Sequence, residues 1–219
     1  MGQAPSREEA IAFQVVESVL GVRIALADAG GGDKTPDGRW ESGNGTAIIE
    51  VTSPPSEAEM REFAKSVQRG ERYMESGTFP AHLGSLAEYL SELVAVTLTG
   101  DVEKLNGVDA DERHLFLLWR TYPQSDHFSR LSDVYEGGET EPVSALTLPD
   151  GITDVWFQGR ARRDPGGRDG FELAVARFNR HTEWERHTVR IDERILPGPT
   201  IVRDPMPDGW RQIDRGDQP

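Results

Sequence analysis

The stretch Thr35 to Thr52 constrains the chain more than any other. Pro36-Asp37 precedes the pair Asn44-Gly45, and an apolar run, Ala47-Ile48-Ile49, leads into Glu50-Val51-Thr52. Asn-Gly between two short extended runs signals a hairpin, because both central residues of a type I′ turn need positive φ. Two antiparallel strands are therefore predicted, with Asp37 near the start of one and Glu50 near the end of the other. Antiparallel pairing makes those ends neighbours and brings the two carboxylates together. With a backbone carbonyl, here that of Val51, they make an all-oxygen site suited to Mg²⁺, with positions left for water and phosphate.

The flanking segments read as helix, strand and helix. Ser6 and Glu9 form a capping box, Phe13, Val16 and Leu20 recur at helical spacing, and Gly21 supplies the stop. Glu17, four after Phe13 and three before Leu20, points from that apolar face, where a carboxylate needs a cation or a metal as partner; the plainer reading sets it at the margin of the face, bonded to an arginine. Val22 to Ala27 is predicted as a strand, and Asp28 to Asp33 as a glycine-rich loop. The loop is no phosphate cradle, since Asp33 stands where a glycine is required before Lys34-Thr35. Ser56 and Glu59 open a second helix, to about Glu75, that buries Met60, Phe63, Val67 and Met74. Its other side carries Arg61, Lys65, Gln68, Arg69 and Arg72. Like charges four apart cost a few tenths of a kcal/mol per pair, so this stripe is either a solvated face relieved by nearby glutamates or a place for an anion.

Pro36-Asp37 followed by Glu50-x-Thr52, set within that element order from about Pro5 to Glu75, resembles the PD-(D/E)xK pattern of the restriction-endonuclease-like nuclease superfamily. Thr52 stands where the family's lysine would be. The resemblance implies an α/β (α+β) core, a mixed sheet flanked by helices. It implies Mg²⁺ or Mn²⁺ held by Asp37, Glu50 and the Val51 carbonyl, with Glu17 completing the site, and hydrolysis of phosphodiesters in DNA or RNA. The catalytic set it implies is Asp37, Glu50 and a lysine from elsewhere. Lys65 on the following helix is the first choice, although helical phase sets it opposite Phe63 and Val67, and Lys34 is the second. Arg61, Gln68 and Arg69 would then face phosphate. Lys104, the remaining lysine, is set aside because it is remote from the hairpin in sequence.

Further along, Leu83, Leu86 and Leu90 predict a helix, and the β-branched run Leu93 to Thr99 a strand. His114 to Trp119 is a continuous apolar run of strand length, expected to lie buried within a sheet. Tyr122 to Pro142 is polar and turn-rich. Three strands near 152–158, 171–178 and 184–191 are expected to form a C-terminal β-meander packed on the core, and a tail after Pro197 to wrap the surface, pinned by Trp210. The division is thus a nuclease-like core over 1–120 and a β-rich extension over 121–219, packed as one compact domain.

Composition narrows the function classes. The absence of cysteine excludes disulfides, thiolate metal sites and cysteine nucleophiles. No serine sits in a nucleophile elbow, and the five histidines show no zinc spacing. No apolar run is long enough for a membrane span, and Met1 leads into Gln3, Pro5 and Ser6 rather than a signal segment, so a cytoplasmic chain with no membrane contact is expected. The net charge of −14 repels polyanions at long range. Two readings from different classes follow. One is a Mg²⁺-dependent nuclease. The other is a catalytically inactive domain of the same fold that meets a protein partner through its acidic surface. An unrelated α+β domain, with Pro36-Asp37 an ordinary turn, is the third.

Overall fold

In the computed structural model, residues 4–27, 35–54, 65, 69, 83–120, 122–132, 144–162 and 169–198 are described. They build a seven-stranded mixed sheet in the sequential order β1 to β7, flanked by helices. Helix α1 (Arg7–Leu20) starts at the Ser6/Glu9 capping box and ends at Gly21, whose φ of 68° is a left-handed cap. Strands β1 (Ala25–Leu26), β2 (Gly38–Ser42) and β3 (Gly45–Thr52) pair antiparallel. Strand β4 (Glu112–Leu117) then joins parallel to β3, and β5 (Asp154–Arg162) parallel to β4. Strands β6 (Gly170–Asn179) and β7 (Glu183–Asp192) complete an antiparallel meander with β5. The meander therefore extends the same sheet instead of forming a separate layer on it.

Alternation along the strands separates two cores. Ile48, Leu115, Leu117, Val155 and Phe157 face one side, under α2 (Leu83–Glu92), α3 (Thr99–Asn106) and α4 (Tyr122–Ser132). Ala47, Ile49, Phe116 and Trp156 face the other, against Ala12, Phe13 and Val16 of α1. The order α1, β1 and the β2–β3 hairpin is the helix, strand and hairpin read from the sequence.

Four local expectations are corrected. The turn between β2 and β3 is centred on Gly43-Asn44, because Ser42 pairs with Gly45. Positive φ falls on Gly45 (127°), and Asn44 stays at negative φ. The run Leu93 to Thr99 is helical: Leu93–Thr97 is a π-helical turn that joins α2 to α3. Burial overrides β-propensity there, since Val94, Leu98, Val102 and Leu105 fall on one helical face and all enter the core. Residues 122–132, expected to be irregular, form α4, with Phe128 and Leu131 as its apolar anchors. Polar Gln124, His127 and Ser129 take buried positions as well, which hid the period. Only Ala25 and Leu26 of the segment 22–27 pair as a strand. The helix expected over 56–75 lies outside the described residues except at Lys65 and Arg69, both helical and exposed. The loop 28–33 and the tail with Trp210 also lie outside them.

Candidate functional site

The hairpin register decides where the first two carboxylates go. Gly38 pairs with Ile49, so Asp37 and Glu50 follow as the next facing positions and stand on the same side of the sheet. Residues directly opposite in an antiparallel pair have Cβ atoms about 5 Å apart. Gly38 allows this tight entry, since a Cβ there would meet Ile24 Cγ2 at 2.6 Å and Ile49 Cγ2 and Phe13 Cζ at 3.0 Å. The Val51 N–H donates to Asp37 Oδ2 at 2.7 Å, which fixes that carboxylate over the end of β3. Val51 thus enters the site through its amide.

Glu50 is buried, 7% exposed, on the side of the sheet covered by α3. Lys104 Nζ, in the last turn of α3, donates to Glu50 Oε1 at 2.7 Å. The second oxygen, Oε2, is buried with no hydrogen-bond partner. Burial, and next the Asp37 charge, push the Glu50 pKa up to about 7, against the opposing pull of the Lys104 ammonium, and Asp101 adds a smaller push. Burial also works against the Lys104 ammonium, but Glu50, Asp37 and Asp101 outweigh it and hold its pKa above the usual lysine value. Asp37, Glu50, Asp101 and Lys104 therefore act on one another as a single electrostatic group.

The other expected site residues are dispersed. Glu17 accepts the Ile24 N–H at 2.8 Å through one oxygen and Arg23 Nη1 at 3.2 Å through the other. It ties the chain as it leaves α1, and the charges that bear on Glu50 are those of Asp37, Lys104 and Asp101. Lys65 and Arg69 are exposed helical residues, and the contact with Glu50 comes from Lys104 instead. Arg61, Gln68 and Lys34 lie outside the described residues. Lys104 was passed over because sequence distance stood in for spatial distance. The parallel crossover from β3 to β4 lays α3 against β3, so that 54 residues of separation close to one hydrogen bond. A helical reading of 94–105 would have exposed the pair, because Asp101 and Lys104 are three apart and share a face beside the buried stripe.

Two carboxylates on a hard-oxygen site suit Mg²⁺ or Mn²⁺, which are bound through one or two carboxylates and keep several waters. The uncompensated Glu50 Oε2 and the like charge of Asp37 fit such an ion. Among the described residues, no three His, Asp or Glu side chains are grouped to hold a metal on their own.

A second polar cluster lies on the opposite side of the sheet, toward the start of β4. His114 is fully buried between Trp40 and Trp156. Trp156 Nε1–H donates to its Nδ1 at 3.1 Å, which leaves the ring proton on Nε2, 3.5 Å from both Glu112 and Asp154. The His114 ring is the largest cause of a Glu112 pKa held down at about 2, with burial opposing and Asn44 and Ser42 helping. Asp154 takes Arg177 Nε at 2.8 Å and Asn179 Nδ2 at 2.8 Å on one oxygen. The Arg177 guanidinium also lies 5.0 Å from the centre of the Trp156 ring. Here each carboxylate is partnered.

Compared with protein-family profiles, with characterised proteins and with solved structures, the chain matches none. Among the described residues, no helix is long and apolar enough to cross a membrane.

Proposed function

We propose that the chain is a Mg²⁺- or Mn²⁺-dependent phosphodiester hydrolase acting on nucleic acid, with Asp37, Glu50 and Lys104 as its working residues. The observation that carries this reading is the Lys104 ammonium on Glu50, directly beside Asp37, near the end of hairpin strand β3. Thr52 leaves the motif without its cation, and Lys104 supplies one from another element. Asp37 and Glu50 would hold the metal ion, which when bound supplies Lewis-acid stabilisation of the phosphate and a more acidic water. The residues of the chain do the rest. Val51 N–H orients Asp37, Lys104 orients Glu50, and the Lys104 ammonium is placed to meet charge that builds on a phosphate oxygen during displacement.

The test is cleavage of single- and double-stranded DNA and RNA with Mn²⁺ or Mg²⁺, by the wild type and by Glu50→Gln. Metal-dependent cleavage that falls by 10²-fold or more in the variant, on the order of one lost electrostatic contact, supports the reading. Absence of cleavage by the wild type on every substrate transfers the weight to the second reading, a non-catalytic module of this fold that binds a protein partner. Two observations favour that alternative: the net charge of −14, and the way Val51 and Lys104 already engage Asp37 and Glu50.

A further inference from the structure

A cavity of about 530 Å³ opens at the C-terminal ends of the parallel strands, between those ends and the first turn of α1. The volume is in the range of a small-molecule pocket. Its walls include Thr52 and Ser53 after β3, Trp119 and Arg120 after β4, and Gln158 of β5. Thr52 is two residues beyond Glu50, hence on the same side of the strand and about 7 Å further along it. Val51 and Leu118 on the cavity wall belong to the α1 side of the sheet, so the cavity lies past the strand ends, at the edge toward which β3 runs on from Glu50.

Trp119 distinguishes this cavity. It is a large apolar side chain left 41% exposed, and among the described residues its ring meets no other ring. Arg120 is exposed beside it, with its backbone N–H taken by Gln124 Oε1. The charges on the wall are balanced, Arg7 and Arg120 against Glu8 and Glu9, and Arg7 is itself paired with Glu193 at 3.1 Å. The first turn of α1 is occupied by its own capping box, in which Ser6 and Glu9 satisfy each other. Such a wall has little to hold a phosphate by charge. An aromatic face flanked by a hydroxyl and a carboxamide suits a flat, hydrogen-bonding ring.

Resting on the nuclease reading above, we infer that this cavity is a nucleobase subsite, in which a base of single-stranded nucleic acid stacks on Trp119 while Ser53 and Gln158 meet its edge. Stacking supplies the affinity that the acidic surface withholds. An unpaired base has a free π-face for Trp119, whereas a base within a duplex is stacked on its neighbours, so the preferred substrate is single-stranded.

The experiment measures binding of a labelled ten-nucleotide DNA single strand, and of the same strand with abasic sites, to the full chain in EDTA. Trp119→Ala should weaken binding of the intact strand by about tenfold, in line with the loss of one stacked base. Trp119→Phe should stay close to the wild type, and the abasic strand should bind the wild type and Trp119→Ala alike. Equal affinity of the wild type and Trp119→Ala for the intact strand overturns the inference, as does a lack of binding by the wild type. Because no metal is present, the outcome is independent of cleavage. Binding through Trp119 without metal-dependent cleavage would sink the nuclease reading and leave the subsite standing.

Discussion

The two polar clusters on either side of the sheet each hold a buried carboxylate beside a cation and come out with opposite electrostatics. Around His114, Glu112 is surrounded by donors and its pKa is held at about 2. Asp154, with 1% exposure, is met by Arg177 and Asn179. Around Lys104, Glu50 is more deeply buried than Glu112, faces Asp37, keeps one oxygen without a partner, and has its pKa raised to about 7. Burial is the largest cause at Glu50 and is outweighed by donors at Glu112, so depth and surroundings act together to part the two carboxylates. A carboxylate given donors on every side braces the fold. One set against a second carboxylate stays short of positive charge, and perturbed groups of that kind concentrate at functional sites.

Stability measurements can break this comparison. Asp154→Ala removes the more buried of the two carboxylates on Arg177, leaving Glu185 at 2.9 Å, and takes an acceptor from Asn179, so it should destabilise the chain by about 2 kcal/mol, read from urea unfolding. Glu50→Gln removes a charge that burial disfavours, and at pH 8 it should leave stability unchanged or raise it. If Glu50→Gln costs as much as Asp154→Ala, the two clusters are both structural and the contrast disappears.

The pH dependence sharpens the same contrast. The folded pKa of Glu50, about 7, lies above its ordinary value of 4.5, so the folded state binds the extra proton between those limits. This group therefore makes stability fall as pH rises from 4.5 toward 7, by an amount on the order of 2 kcal/mol. Glu112 has the opposite sign: its contribution is complete above pH 4.5 and is lost as pH falls through about 2. Unfolding curves between pH 4 and 8 should show the decline in the wild type and lose it in Glu50→Gln. An unchanged decline in the variant would assign it to other groups.

Much of this arrangement is legible in the sequence wherever the determining interactions are local. The Ser6/Glu9 capping box and the Gly21 stop fix α1 within a few residues of chain, and they appear as read. The facing of Asp37 and Glu50 is likewise a hairpin property, and it survives a shift of the turn to Gly43-Asn44 because the strand register is held by pairing from Gly38 to Ser42. The failures occur where tertiary burial decides. The valines and threonines at 94–99 join a helix because one face of that helix closes over Ile48 and Leu115. That misread strand is what concealed Lys104. Helix α4 escaped for a related reason, since Gln124, His127 and Ser129 are buried in it and no apolar period is left to see. The assembly of His114, Asp154 and Arg177 depends on three strands coming into register, and no local spacing records it.

The central claim is that α3 supplies the cation missing at Thr52, and the most direct test is the rate of Mn²⁺-dependent nucleic-acid cleavage by Lys104→Met beside Lys65→Met. Loss of one preorganised electrostatic contact should slow Lys104→Met by 10²-fold or more, on the order of ~3 kcal/mol in the barrier, in a variant that is still folded at the assay temperature by circular dichroism. Lys65→Met, changed at an exposed helical position, should cleave at the wild-type rate. Undiminished cleavage by Lys104→Met, or a loss confined to Lys65→Met, would contradict the assignment.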